Sequence, residues 1–518
     1  SGIYARGGAA ATSHPLATET AIRILREGGN AVDAAIAASA VLCVAEPGMT
    51  GIGGDCFAII AEPNGRLHGL NGSGRSGTHA RPEWFAERGL GAVDPSSAQA
   101  VTVPGAIDAW ARLLRDHGTM GLDRVLAPAI DLAEKGVPVA PRVAFDWARV
   151  AARLADDPGS RRHLLPNGRP PQTGDIFRHP ALGATMRRIA EGGPDAFYRG
   201  EIGEEIVATL RARGGFLEMD DLAAVGADPV DPVTTTYRGV TVAELPPNGQ
   251  GVTALLLLNI LEALGPAPSD ALGAERLHRE IEAARLAYSY RDAVVADPAG
   301  GAAWKKMLDK GLAAELAAKI DPDRRMGPLP APVLPQGSDT IYLTVVDENR
   351  LAVSFINSLF QAFGTGITTP NGGVTLQNRG SGFRVIPGHP NCIAPRKRPM
   401  HTIIPAMALR DGKPWISFGV MGGAYQSCGH AHFLTNVVDH GMDVQAAIDA
   451  PRVFWDETGR IMLERGLGAE VLQAMEAKGH PVGRPETPWG GGQAIRIHDN
   501  GVLEAGSDPR KDGSALGY

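Results

Sequence analysis

The sequence predicts an α+β fold, helix-rich up to residue 339 and strand-rich after it. Apolar residues recur at helical spacing in six runs between residues 106 and 290. From Thr340 onward β-branched residues take over. Runs 340–346 and 351–356 are joined by Asp347-Glu348-Asn349-Arg350, the pattern of a hairpin. A helix-dominated stretch followed by a strand-dominated one is the order expected of an α+β chain.

Taken in order, His14-Pro15 opens an amphipathic helix that runs to Arg26 and stops at Gly28-Gly29. Asn30 caps a second, alanine-rich helix over 31–44, apolar nearly all round and therefore buried. Glu46-Pro47-Gly48 ends it, and Gly51-Ile52-Gly53-Gly54-Asp55 leads into a strand at 56–61. Pro63-Asn64-Gly65 turns the chain back into a strand at 67–70. Helices follow at 106–117, 122–135, 182–191, 201–213, 251–264 and 274–290. Residues 327–338 (GPLPAPVLPQGS) hold four prolines and predict an exposed stretch without regular structure. Later strands are expected at 374–376, 402–409, 414–418 and 494–497, with a helix over 424–440.

The chain has 518 residues, enough for about three domains or one large enzyme body. With 50 Lys+Arg against 57 Asp+Glu and no basic run of five, a nucleic-acid partner is not expected. The most apolar stretches, 34–45 and 252–258, fall short of the ~18 residues that span a bilayer, so no membrane partner is expected either. Cys43, Cys56, Cys392 and Cys428 are too scattered for a disulfide framework or a zinc knuckle. His430 and His432 diverge on a helix and read as ordinary histidines, so no metal and no organic cofactor is expected. The opening Ser1-Gly2-Ile3 has no charged-then-apolar leader, which favours the cytoplasm unless a signal peptide has been removed.

The hairpin carries the first hint of chemistry. If Val346 pairs with Leu351, Thr340 lies opposite Asn357 and beside Ser358. Two hydroxyls and an amide then cluster at one hairpin end. That suits a threonine nucleophile whose own freed α-amine is the base.

Longer motifs make the chain recognisable. They are EGGNAVDAAIAAS (27–39), TGIGGDCF (50–57), VPGAIDAW (103–110), EGGPDAFYRGEIGEEI (191–206), LPPNGQGVTALLLLNILE (245–262), DTIYLTVVD (339–347), FGTGI (363–367), VMGGA (420–424) and GSDPR (506–510). Over essentially its whole length the chain resembles the γ-glutamyltransferase (γ-glutamyltranspeptidase) family of N-terminal-nucleophile hydrolases. The resemblance implies a four-layer αββα sandwich built from one self-cleaved precursor. Residues 1–339 would form the large subunit and 340–518 the small one, intertwined as one structural unit, with a homodimer of that pair left open.

The resemblance also assigns residues. Thr340 matches the nucleophile, Asp339–Thr340 the self-cleaved bond, Ser358 the second active-site hydroxyl, and Gly422-Gly423 the pair that stabilises the oxyanion. Asn357, beside Ser358, joins the substrate-binding set. Other substrate positions depart from the transpeptidase pattern. Ser73 stands where an arginine binds the α-carboxylate, and Arg75, two residues on, is its candidate replacement. Phe360 replaces an asparagine, Gly382 the aspartate that pairs with the α-ammonium, Arg379 a glutamine, and His401-Thr402 a pair of serines. The implied activity is amide cleavage through a threonine acyl-enzyme, glutathione hydrolase-like with altered acyl specificity. Its substrate would be a peptide-like amide or a dicarboxylic monoamide. A glutaryl- or cephalosporin-type acylase and an oxamate-type amidohydrolase are alternatives. An unprocessed, silent binding protein of the same fold is the alternative of another class.

Overall fold

The computed structural model describes residues 2–329 and 340–518. Two seven-stranded sheets lie face to face with helices on their outer sides, which gives four layers, αββα. In spatial order the first sheet runs Ile3–Ala5, Leu503–Ser507, Gly491–Ile497, Lys413–Met421, Ala406–Arg410, Val240–Glu244 and Val233–Tyr237. The second runs Ser514–Gly517, Ala9–Thr12, Ile341–Val346, Ala352–Ser358, Asp55–Ala61, Leu67–Gly72 and Asp228–Val230. Both sheets thus combine strands from before and after the Pro-rich stretch. Asp339 and residues 330–338 lie outside the described residues. Among the described residues no helix is long and apolar enough to cross a membrane.

Helices Pro15–Arg26, Ala31–Ala45 and Ala106–His117 cover the second sheet, while Gly251–Ala263 and Gln426–Val438 cover the first. Every residue of Ala31–Ala45 is buried, which its alanines allow because small side chains let backbone and sheet approach closely. Asn30 caps it as expected. Its side chain accepts from the Val32 and Asp33 N–H groups, and Asp33 accepts the Asn30 N–H in return. Between the sheets Phe57, Ile59, Tyr342, Ile356, Met407 and Ile495 form a dry inner core.

The hairpin register differs by one residue from the sequence expectation. Val346 pairs with Ala352, not Leu351, and Ile341 with Asn357. The turn is longer than the four polar residues because the Asp347 N–H bonds the Leu351 carbonyl at 3.1 Å and Arg350 takes a left-handed φ of 65°. The Asp347 carboxylate secures it, accepting from the Asn349 and Leu351 N–H groups. One residue of slip turns every side chain to the other face. Thr340 is therefore level with Ser358, and Asn357 faces the helices instead.

Other elements shift less. Residues 374–376 make only an isolated bridge, Thr368 with Thr375, and the strand expected at 402–409 is Ala406–Arg410. The late helix is Gln426–Val438.

Gly54 fixes how closely the strand Asp55–Ala61 begins beside Ser358, because a Cβ there would lie 2.1 Å from the Ser358 carbonyl oxygen. Gly54→Ala is expected to cost about 1–3 kcal/mol of unfolding free energy, measured by urea titration. Unchanged stability would mean that the two strands can part without cost.

Candidate functional site

Cross-strand pairing builds the site. Ser358 pairs with Asp55, and continuing the hairpin register by one residue sets Thr340 on the other side of Ser358. Directly opposite side chains share a face, so Thr340, Ser358 and Asp55 form a buried row facing the first sheet. Thr340 Oγ1 lies 2.9 Å from Ser358 Oγ, and Ser358 Oγ accepts the Phe360 N–H at 2.8 Å.

The first sheet brings the glycine pair to this row. Thr344 Oγ1 donates to Ser417 Oγ at 2.6 Å, and Gly419 has no side chain because the Tyr342 ring occupies that space. Extending this stagger by one more step sets Thr340 level with Met421, where the strand ends. The chain then turns at Gly422 and Gly423, with φ of 137° and 56° that favour glycine. Gln250 secures the turn. Its Nε2 donates to the Thr402 and Gly423 carbonyls at 2.7 and 3.0 Å, and its Oε1 accepts from Arg291 at 2.9 Å.

Arg379 is fully buried beside the row, with its guanidinium 3.9 Å above the Phe360 ring. Nη1 donates to Thr402 Oγ1 at 2.8 Å, and Nη2 lies 3.5 Å from Ser358 Oγ, long for a hydrogen bond. Nε has no partner among the described residues. The Nε/Nη2 edge is one that can fork onto a carboxylate, and it lies buried beside the hydroxyl that contacts Thr340. Burial lowers the Arg379 pKa to about 9, opposed by the charge of Asp55, so the group is cationic at neutral pH.

Asp55 cannot turn to Arg379, because its oxygens are already taken. Oδ1 accepts from the Gly74 and Gly105 N–H groups and from Gln377 Nε2 at 3.0–3.2 Å. Oδ2 accepts from His401 Nε2 at 2.9 Å. Burial, then the charge of Arg379, push the His401 pKa down to about 3. The ring is neutral, with its proton on Nε2 as the Asp55 contact requires.

The structure therefore gathers Thr340, Ser358, Arg379, His401, Thr402, Gly422 and Gly423. Two candidates fall elsewhere. Asn357 Nδ2 donates to Thr50 Oγ1 and the Gly51 carbonyl on the helix-facing side, as the corrected register requires. Arg75 is half-exposed and paired with Asp297 at 3.3 Å and Asp228 at 3.8 Å in a small pocket with Arg396 and Arg398. Those two carboxylates hold its side chain away from Thr340, and only the neighbouring Gly74 N–H reaches the site. His430 and His432 engage different glutamates, Glu244 and Glu280. Sequence reasoning missed Asp55 and Gln250 as site residues. A lone carboxylate heading an apolar strand was the available signal, since buried charge requires partners.

His14, His179, His401 and His480 all have burial-depressed pKa values, about 4 for His14 and about 3 for the others. Below pH 6.5 the unfolded chain takes up protons that the fold refuses, so stability present above 6.5 is lost as pH falls towards 3. His401→Gln keeps a donor for Asp55 and is expected to lower this acid slope by up to about 1.4 kcal/mol per pH unit. Urea unfolding at pH 4, 5 and 7 reads it. Equal slopes would mean that His401 is charged in the fold.

Comparison with known proteins agrees with this architecture. The model of the family described as Gamma-glutamyltranspeptidase matches residues 17–518. A Glutathione hydrolase-like YwrD proenzyme of Bacillus subtilis is 37% identical, the alignment covering 97% of each chain. An Oxamate amidohydrolase proenzyme of Klebsiella pneumoniae is 35% identical over 99% of this chain and 98% of its own. A crystal structure of cephalosporin acylase from Bacillus halodurans superposes with a TM-score of 0.94 at 37% identity, covering 100% of this chain and 97% of that one. An αββα fold, a threonine–serine–arginine cluster between its sheets and a family match over nearly the whole chain lead to one conclusion: this protein is an enzyme of the gamma-glutamyltranspeptidase family.

Proposed function

We propose that the protein cleaves itself between Asp339 and Thr340 and then hydrolyses amides whose acyl group carries a carboxylate. In this reading Thr340 Oγ1 attacks the amide carbonyl and its freed α-amine accepts the hydroxyl proton. The Gly422 and Gly423 N–H groups hold the oxyanion. The C–N bond breaks, the proton passes to the departing amine, and water releases the acid from the threonine ester. Ser358 orients Thr340 across their 2.9 Å contact. The proenzyme names of the B. subtilis and K. pneumoniae relatives support the self-cleavage.

The unsatisfied Nε/Nη2 edge of Arg379 is the observation that carries the acyl specificity. It lies beside Ser358, so a carboxylate docked there belongs to a short acyl chain. A γ-glutamyl donor would also bring an α-ammonium. Gly382 offers it no counter-charge and Arg379 repels it. An unpaired, buried ammonium costs a few kcal/mol. The relative named oxamate amidohydrolase favours the same kind of donor. The relative named glutathione hydrolase-like favours γ-glutamyl donors, which is the second reading.

Mass spectrometry of the purified protein is expected to find fragments 1–339 and 340–518, and Thr340→Ala to remain one inactive chain. An intact wild-type chain that turns over amides would defeat the mechanism, because an acylated main-chain nitrogen cannot serve as the base. Oxalyl- and glutaryl-anilides are expected to exceed γ-glutamyl-anilide by about 10²-fold in kcat/KM. Arg379→Gln should remove most of that preference. A tenfold preference of the wild type for γ-glutamyl-anilide would establish the second reading instead.

A further inference from the structure

Away from the buried Arg379 side chain, a cleft of about 640 Å³ opens at Gly422. One wall is aromatic. Tyr425 and Trp489 stack with centroids 6.3 Å apart and planes 26° apart, and Phe454 meets Trp489 edge-on at 5.5 Å. The facing wall is the helix Pro141–Asp156, which presents Arg149 and Arg153.

Backbone contact sets Trp489 close to the glycine turn. Gly490, which follows it, has a φ of 65°, and a Cβ there would lie 2.2 Å from the Met421 carbonyl oxygen. A Cβ on Gly422 would in turn lie 3.0 Å from Gly490 Cα. The two segments touch main chain to main chain, with no room for a side chain between them. Trp489 is held in place through its main chain, its backbone N–H donating to Glu464 and its carbonyl accepting from Arg452.

We infer that this cleft receives the amine side of the scissile amide, and that Trp489 is the platform selecting amines with a flat aromatic group. The inference rests on the proposed reading of Thr340 and Arg379. The Arg379 end of the site is closed, its guanidinium fully buried and covered by Phe360. An acyl carboxylate docked there directs the rest of the acyl group inward. With the carbonyl at Gly422, the nitrogen substituent has the cleft to enter. A site of this volume is of the size that encloses a drug-sized ligand and far exceeds what ammonia needs. Aromatic rings on its wall favour offset stacking with a planar group. The leaving amine is therefore a substituted, ring-bearing one, and primary amides are poor substrates.

The test compares N-benzyl and N-methyl amides of one carboxylate-bearing acyl group on the processed enzyme. Both leaving amines are strongly basic alkylamines, so the difference between them reads the cleft. The wild type is expected to favour the benzyl amide by about tenfold or more in kcat/KM, mainly through KM. Trp489→Ala should collapse that ratio towards unity and Trp489→Phe should retain most of it, with thermal unfolding checking that both variants fold. Turnover of both amides without a benzyl preference, or a preference that survives Trp489→Ala, overturns this inference and leaves the proposed function standing. Turnover of neither amide by the wild type overturns both.

Discussion

The site depends on one saturated carboxylate. Asp55 is fully buried and accepts four hydrogen bonds, from Gly74, Gly105, Gln377 and His401. These donors come from four separate stretches of chain, and the charge costs much to bury unless all of them reach it. Satisfying Asp55 draws together the strand that carries Ser358, the loop after Leu67–Gly72 and the segment around His401. It also leaves Asp55 unable to rotate towards Arg379. The arginine stays cationic, supported by the Asp55 charge without direct contact, and keeps an unsatisfied edge. A direct ion pair between them would have filled the edge to which the proposed acyl carboxylate binds.

Glycines do the complementary work by letting neighbours approach closely. Ser358, the Tyr342 ring and Met421 occupy the space that a Cβ on Gly54, Gly419 and Gly490 would need. The first and third bring neighbouring strands of one sheet together, and Gly419 lets the two sheets approach near the end where Thr340 lies. Further along, the space between the sheets is mainly apolar, broken by the hydrogen-bonded hydroxyls of Thr344, Ser354 and Ser417.

Much of this was legible in the sequence, and the failures have physical causes. Asn30 and the alanine run announced a buried helix because capping and composition are local signals. The hairpin was legible as well, but its register slipped by one residue. The extra residue is held by Asp347 bonding the turn, which spacing alone does not reveal. That slip misplaced Asn357 and moved Ser358 from beside Thr340 to opposite it. Strands such as Ala9–Thr12 and Ser514–Gly517 gave no β signal, because alanine and glycine take their strand form from neighbours far along the chain. Arg75 was plausible from alternation, yet Asp228 and Asp297 decide where it points. Asp55 went unassigned because its partners are distant in sequence.

The strand order also bears on how the chain is made. Ala9–Thr12 pairs with Ile341–Val346 on one side and with Ser514–Gly517 on the other. Synthesis at roughly 5–20 residues per second separates the first of these strands from the last by about 25–100 s. During that interval the early strands of the second sheet have emerged while their later neighbours have not yet been translated. The N-terminal part must wait with open sheet edges, a state prone to mispairing. Neither edge of Ala9–Thr12 can reach its native partner until residues 341–346 and 514–517 have been made.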